Sequence, residues 1–355
     1  MGTLMLVIVL LILFSRGFIF KEDTKESNRK FLIFAGILLV AFFGCRNAAT
    51  NFGSDLNNYY RLFERAVKSD SVRSFLNTEV MEDGYVLLNW LIARVIKWPQ
   101  FIIFFQAAFC IGVTLRFIYK YSDDVLVSLL GFTSLGVMQF YLTGFRQSFA
   151  ISICLIALEF AFKNRFIPFI LTILIAASIH KTAIVFIPVY WIVKRGLNQI
   201  SGLIDFIAIL FLSQIVPRLI SFGNKVFDKE YAGKFAGNQL GGIINILIGG
   251  IIIIAMMLYQ SRKYNNNFGE EFPEYIKGFF HLTFIGTGIY ALRYQALVLE
   301  RIALYFTPSV FILLPRFINT YFTKESKIIM KSIFVILMVF LAWWRLKDYA
   351  YEVFW

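Results

Sequence analysis

The sequence predicts an all-α, polytopic membrane fold of about twelve transmembrane helices plus one interfacial helix. Three observations carry that expectation. The 355-residue chain is 59% hydrophobic and only 16% charged, with a mean hydropathy of +0.70, whereas a soluble domain carries about 25% charged residues. Its apolar residues fall in repeated runs of about 15–20, the length that crosses a hydrocarbon core of about 30 Å as a helix. Basic residues mark alternate ends of those runs, as the positive-inside rule requires of a multi-pass protein.

The runs lie at about 3–20, 30–46, 99–118, 125–142, 146–162, 166–180, 182–193, 203–222, 242–260, 277–293, 301–317 and 328–345. Helices are the expected form, because a helix satisfies its own backbone groups in lipid. Residues 3–14 have no basic flank before them and no small-residue cleavage site after them, so they read as a retained first span. A further stretch, 85–98, is short, holds Asn89, Arg94 and Lys97 and ends at Pro99. It reads as an interfacial or re-entrant helix. With 85–98 at the surface, the turns carrying Arg116 and Lys120, Lys163 and Arg165, Lys194 and Arg195, Arg262 and Lys263, and Arg316 and Lys324 all join Arg16, Lys21 and Arg29 on the cytoplasmic side. If it crossed, every turn from Arg116 onward would flip outward.

The net charge of +13 is accounted for by those turns and by anionic headgroups, so no nucleic-acid partner is expected. Cys45, Cys110 and Cys154 lie at or within apolar runs without metal-ligand spacing, which argues against disulfide or metal roles. No phosphate-cradling glycine loop, serine elbow or His-Glu-x-x-His pattern occurs. ATP-driven and zinc-hydrolase chemistry are therefore not expected, nor is any metal or cofactor. There is no internal repeat and no soluble domain, so 1–355 reads as a single polytopic membrane domain.

Two polar segments face away from the cytoplasm in this topology, 46–85 and 223–241. The first holds six of the chain's 22 acidic residues: Asp55, Glu64, Asp70, Glu79, Glu82 and Asp83. Asp55 and Glu82 are candidate bases or sugar-hydroxyl ligands, with a solvated loop carboxylate as the ordinary alternative. Asn57, Asn58, Tyr59 and Tyr60 beside Asp55 suit a sugar, by hydrogen bonds to hydroxyls and stacking on C–H faces. Tyr231 lies in the second segment.

The hairpin 166–193 makes two crossings in about 28 residues, where two full spans need about 40. Its apex at His180 should sit recessed below the surface, and an ionisable group at that depth is a candidate functional residue. His281, near the cytoplasmic end of run 277–293, reads as a packing residue. Arg46, Arg146, Arg293 and Arg301 mark outer helix ends. They suit a diphosphate through the planar donor fork, and a headgroup belt would place arginines there too.

In chain order the sequence carries Arg46, Gly53-Ser-Asp55-x-x-x-Tyr59, Glu82-Asp-Gly84-Tyr85, Phe145-Arg146-Gln147-x-x-Ala150, His180-Lys-Thr-Ala183 and Arg301-x-x-x-Tyr305-Phe306 with Pro315. This series resembles the EpsG family of bacterial polysaccharide polymerases, related in role to the Wzy-type O-antigen, capsule and exopolysaccharide polymerases. The resemblance covers about residues 30–320. Asp83 stands where the family pattern suggests Pro. The resemblance implies a GT-C-like membrane glycosyltransferase of the cytoplasmic (inner) membrane, with its active site on the extracytoplasmic face. Its partner would be an undecaprenyl-diphosphate-linked glycan in the lipid bilayer, alongside the chain-length regulator and flippase of the same pathway. It marks Asp55, Glu82, Arg146, His180 and Arg301 as site positions.

The reading from sequence is therefore a polymerase of lipid-linked repeat units, inverting and metal-independent. Arg46, Arg146, Arg293 and Arg301 are assigned to the diphosphate, and Tyr59, Tyr85, Gln147, Tyr231 and Tyr305 to substrate. Among Asp55, Glu82 and His180, His180 is favoured as the base and Asp55 as the acceptor ligand. The alternatives are an O-antigen ligase-type transferase, which would use a different acceptor, and a polysaccharide transporter or flippase, which would place polar groups near the midplane of broken helices.

Overall fold

A computed structural model describes residues 1–48, 54–227, 239–266, 272–348 and 351–354. Seventeen α-helices and no strand occur among them, so the all-helical, polytopic expectation holds. Seven helical segments are long and apolar enough to cross a membrane. They are Gly2–Ile19 (α1, Gly2–Phe14, ending in a π-helical turn), Lys25–Gly44 (α2), Phe101–Tyr121 (α6), Phe145–Phe162 (α9), Ile200–Arg218 within α12 (Gln199–Phe227), Gly242–Tyr259 within α13 (Gln239–Asn266) and Lys324–Leu346 (α17). An eighth is a bent pair, α7 (Val125–Ser134) and α8 (Val137–Thr143), which meet at 49°.

The other four of the twelve apolar runs form shorter or more polar helices: α10 (Phe166–Ile179), the 3₁₀ turn Lys181–Phe186 with α11 (Val189–Ile192), α14 (Glu274–Ala291), and α15 (Leu297–Ala303) with α16 (Thr307–Tyr321). The short hairpin anticipated at 166–193 is thus present, with His180 as the residue that ends α10 in extended conformation.

The break between α7 and α8 falls within a run that reads as one continuous span. Gly136 causes it, with φ of 100°, a left-handed conformation that glycine adopts without a Cβ penalty. The freed Leu135 carbonyl accepts from Asn245 Nδ2 at 3.0 Å, and Gln139 Nε2 donates to the Thr133 carbonyl at 2.7 Å.

Two ends of the bundle are distinguishable. At one, Arg116 and Lys120 share Glu159, Arg316 pairs with Asp123, and Lys331 pairs with Asp124. Near that end too, Asp205 joins Arg195 to the buried His281, whose Nδ1 lies 2.6 Å from Oδ2. His281 is thus held in an ionic cluster as well as packed. At the other end, Gln100 Nε2 donates to the carbonyls of Gly44 and Arg46 at 2.7 and 2.8 Å. The C-terminal tail pairs there, through Asn47 N–H to the Glu352 carbonyl at 2.9 Å and Phe354 N–H to the Cys45 carbonyl at 3.1 Å. Gly2 lies against Lys347, so the start of α1 and the end of α17 meet at this end of the bundle.

Segment 46–85 is more ordered than a loop. Ser54–Lys68 forms α3 and Val72–Thr78 forms α4, and α5 (Asp83–Val95) follows. Leu56, Tyr59, Leu62, Phe63 and Ala66 lie on one stripe of α3 and are all buried, the helical period that docks an amphipathic helix. An Arg65–Glu79 fork at 2.6 and 2.7 Å ties the end of α4 back to α3. In α5, Tyr85, Val86, Asn89 and Ala93 face inward while Leu87, Leu91 and Val95 stay exposed, as suits an interfacial helix of 13 residues. Most of 223–241, including Tyr231, lies outside the described residues.

Candidate active site

Glu82, Arg146 and His180 converge although they are up to 98 residues apart in sequence. Glu82 Oε1 lies 3.0 Å from His180 Nδ1, and Glu82 Oε2 accepts from Arg146 Nη1. The three side chains are mostly buried, yet each keeps some access to solvent.

Local sequence explains the convergence. Glu82 precedes the first turn of α5, where its carbonyl accepts from the amides of Tyr85 and Val86 at 2.9 and 3.1 Å. Asp83 is the first helical residue. That position suits Pro for its fixed φ and Asp for its charge at the positive helix end, so the departure from the family pattern is accommodated. Gly84 lies against the end of α10: a Cβ there would fall 2.3 Å from Ser178 Oγ and 2.6 Å from the Ser178 carbonyl oxygen. Only glycine lets α5 approach within reach of His180, two residues on. Gly84→Ala is therefore expected to push α5 away and to lower polymer yield at least about tenfold, at a stability cost of about 1–3 kcal/mol from overpacking. Polymer yield against membrane protein level checks this.

Arg146 sits in the first turn of α9, where Gly144 caps the helix. The neighbouring Phe145 ring stacks on Tyr59 at 5.0 Å and 9°, and Tyr59 meets Tyr85 edge-on at 5.6 Å. Burial raises the pKa of the Tyr59 phenol, so it remains protonated beside Arg146. This aromatic floor holds Arg146 against Glu82.

Burial pushes Glu82 up. The His180 hydrogen bond, a backbone amide and the charge of Arg146 outweigh it and hold the carboxyl at about 2. An ionised Glu82 can only accept, so the His180 tautomer bonded to it carries its proton on Nδ1. Nε2 has no partner among the described residues. A carboxylate on one ring nitrogen and an open second nitrogen is the arrangement of an oriented general base.

The remaining predicted residues divide clearly. Gln147 Nε2 donates to the Arg301 carbonyl at 2.6 Å, so it fastens α15 beside Arg146. The Arg301 side chain is exposed and has no partner among the described residues. Tyr305 is buried, and its hydroxyl is 2.9 Å from Thr182 Oγ1, two residues past His180. Asp55 is exposed in the first turn of α3, one helical turn before Tyr59, and its charge reaches that phenol.

Two arginines lie elsewhere. Arg46 is buried and donates through Nε to the Phe43 carbonyl at 2.9 Å and through Nη1 to the Leu142 carbonyl at 2.6 Å, stapling the end of α2 to α8. Arg293 is buried beside Tyr290, Glu300 and the backbone of Gly242. Sequence reasoning missed Thr182 and Ser178 as supports of the cluster; the first sits inside a quoted motif and was legible there.

The fold and site define a class: a multi-pass helical membrane protein with a carboxylate–imidazole–guanidinium cluster at one end of its bundle. The EpsG family model matches residues 29–354. The chain belongs to the EpsG family, a Wzy-type polysaccharide polymerase family. Comparison with curated proteins and with solved structures returned no match.

Proposed function

We propose that the protein polymerises oligosaccharide repeats carried on undecaprenyl diphosphate, with Glu82, Arg146 and His180 as the transfer centre. The observation that carries this reading is the Glu82–His180 contact with an open imidazole Nε2, in a member of a polymerase family. The nascent glycan sits on its lipid diphosphate as donor. A hydroxyl of an incoming lipid-linked unit attacks the anomeric carbon, and the bond from that carbon to the diphosphate oxygen breaks. The hydroxyl proton passes to His180 Nε2 while Nδ1–H stays on Glu82. A single displacement inverts the anomeric centre. Diphosphate is a good leaving group, and arginine charge aimed at it stabilises the transition state. Arg301, exposed and unpaired among the described residues, meets the diphosphate, with Arg146 behind it. Asp55 and Tyr59, on one face of α3, receive the acceptor sugar.

The reading assigns the whole chain to one membrane unit in the cytoplasmic membrane, with α3, α4 and segment 223–241 outside the cytoplasm. The opposite end carries the concentration of Lys and Arg, as cytoplasmic turns do. In an otherwise cysteine-free protein, a cysteine at Asp70 is expected to react with an impermeant thiol reagent on intact cells. One at Lys324 should react only after lysis. The reverse pattern would put the cluster on the cytoplasmic face.

The break at Gly136 is the feature a transporter reading would use. There the Leu135 carbonyl is occupied by Asn245 and the Thr133 carbonyl by Gln139 rather than left for a cargo. Lipid-linked glycans of a deletion strain separate the enzymes: accumulated single repeats support the polymerase, and full-length unattached polymer supports the ligase.

A further inference from the structure

An open groove of about 640 Å³ runs along the membrane face between α2 and α6. It lies apart from the Glu82 cluster. Gly36 and Gly112 form its floor, Ile33 and Ile37 one wall, and Arg29 and Arg116 its end. The lining residues recur along α2 from Arg29 to Ala41 and along α6 from Phe104 to Tyr119, so the groove follows one face of each helix. At 1.5 Å per residue those stretches are about 18 and 23 Å long, up to about three quarters of a hydrocarbon core of about 30 Å.

We propose that this groove binds an anionic phospholipid of the leaflet at that end, with one acyl chain along the glycine floor and the phosphate on Arg29 and Arg116. Charge argues for an anionic headgroup. Arg29 is exposed and unpaired among the described residues. Arg116 and Lys120 share the single carboxylate of Glu159. Glu26, near Arg29, pairs with Lys30, so Arg29 and Arg116 leave the end of the groove with a net positive charge. Tyr119 lines it too, as aromatic side chains do at the headgroup level.

Gly112 gives a clean variant, because a Cβ there meets no atom within 4 Å. Gly112→Leu fills the groove without displacing protein. The test is native mass spectrometry of the purified full-length protein with dioleoyl phosphatidylglycerol or dioleoyl phosphatidylcholine. Wild type should retain the anionic lipid over the zwitterionic one by roughly fivefold or more, the factor contributed by one basic residue near an anionic surface. Arg29→Gln should remove most of that preference, and Gly112→Leu should lower retention of both lipids. Equal retention of the two lipids by wild type overturns the proposal, as does full retention by Gly112→Leu. Adducts with undecaprenyl phosphate alone would assign the groove to a substrate tail, and a dimer lost in Gly112→Leu would assign it to a second copy; either result also overturns it.

Discussion

His180→Gln is expected to lower turnover of a purified lipid-linked repeat by about 10²–10⁴, the range that a positioned general base contributes. Glutamine keeps a polar group near Glu82 but offers no basic nitrogen. Protein level in the membrane should stay near wild type, since His180 ends α10 by its backbone conformation and keeps some solvent access. Glu82 is held at about 2, so it remains ionised throughout the working range and contributes no fall in rate there. A variant with near-normal rate would move the base to Asp55.

Glu82→Gln should be as damaging to turnover, again by roughly 10²–10⁴, and it should also cost stability. Removing one partner of a buried ion pair costs about 3–5 kcal/mol. The lower end, about 3 kcal/mol, is expected here because the Arg146 side chain is 28% exposed. The two effects have separate causes. Stability falls because Arg146 loses its counter-charge against a floor of Tyr59 and Phe145. Turnover falls because the amide can present its N–H₂ to His180 Nδ1 and so favour the tautomer with the proton on Nε2, where it cannot act as a base. Glu82→Asp keeps the charge on a shorter stem and should recover much of the stability and less of the rate. A Glu82→Gln protein with normal turnover and a lowered melting temperature would leave Glu82 as a structural ion-pair partner only.

Much of this architecture was legible in the sequence. All twelve apolar runs correspond to helices, because in lipid the backbone leaves few other choices. The short hairpin at 166–193 followed from arithmetic on helix rise. Glu82, Arg146 and His180 were each singled out, but their meeting was not readable: it depends on Gly84 lying against Ser178 and on Phe145 stacking on Tyr59, contacts between distant parts of the chain. Segment 46–85 looked like a loop because its polar residues dominate by count, although Leu56, Tyr59, Leu62, Phe63 and Ala66 already spell a helical stripe. Arg46 and Arg301 look alike in sequence, each an arginine at a helix end. Only the fold gives one two carbonyl partners and leaves the other exposed. His281 looked like a packing residue, and its ion-paired neighbour Asp205 lies 76 residues away.

The most direct test of the Glu82–His180 centre is a double-mutant cycle on purified protein with a defined undecaprenyl-diphosphate-linked repeat, following glycosidic bond formation and release of undecaprenyl diphosphate together. Wild type should form lipid-linked dimers and longer chains, releasing one lipid diphosphate per bond. Glu82→Gln, His180→Gln and the double variant should lose nearly the same factor, because residues that act as one unit are strongly non-additive. Losses that multiply in the double variant, or wild-type transfer without lipid diphosphate release, would contradict the account.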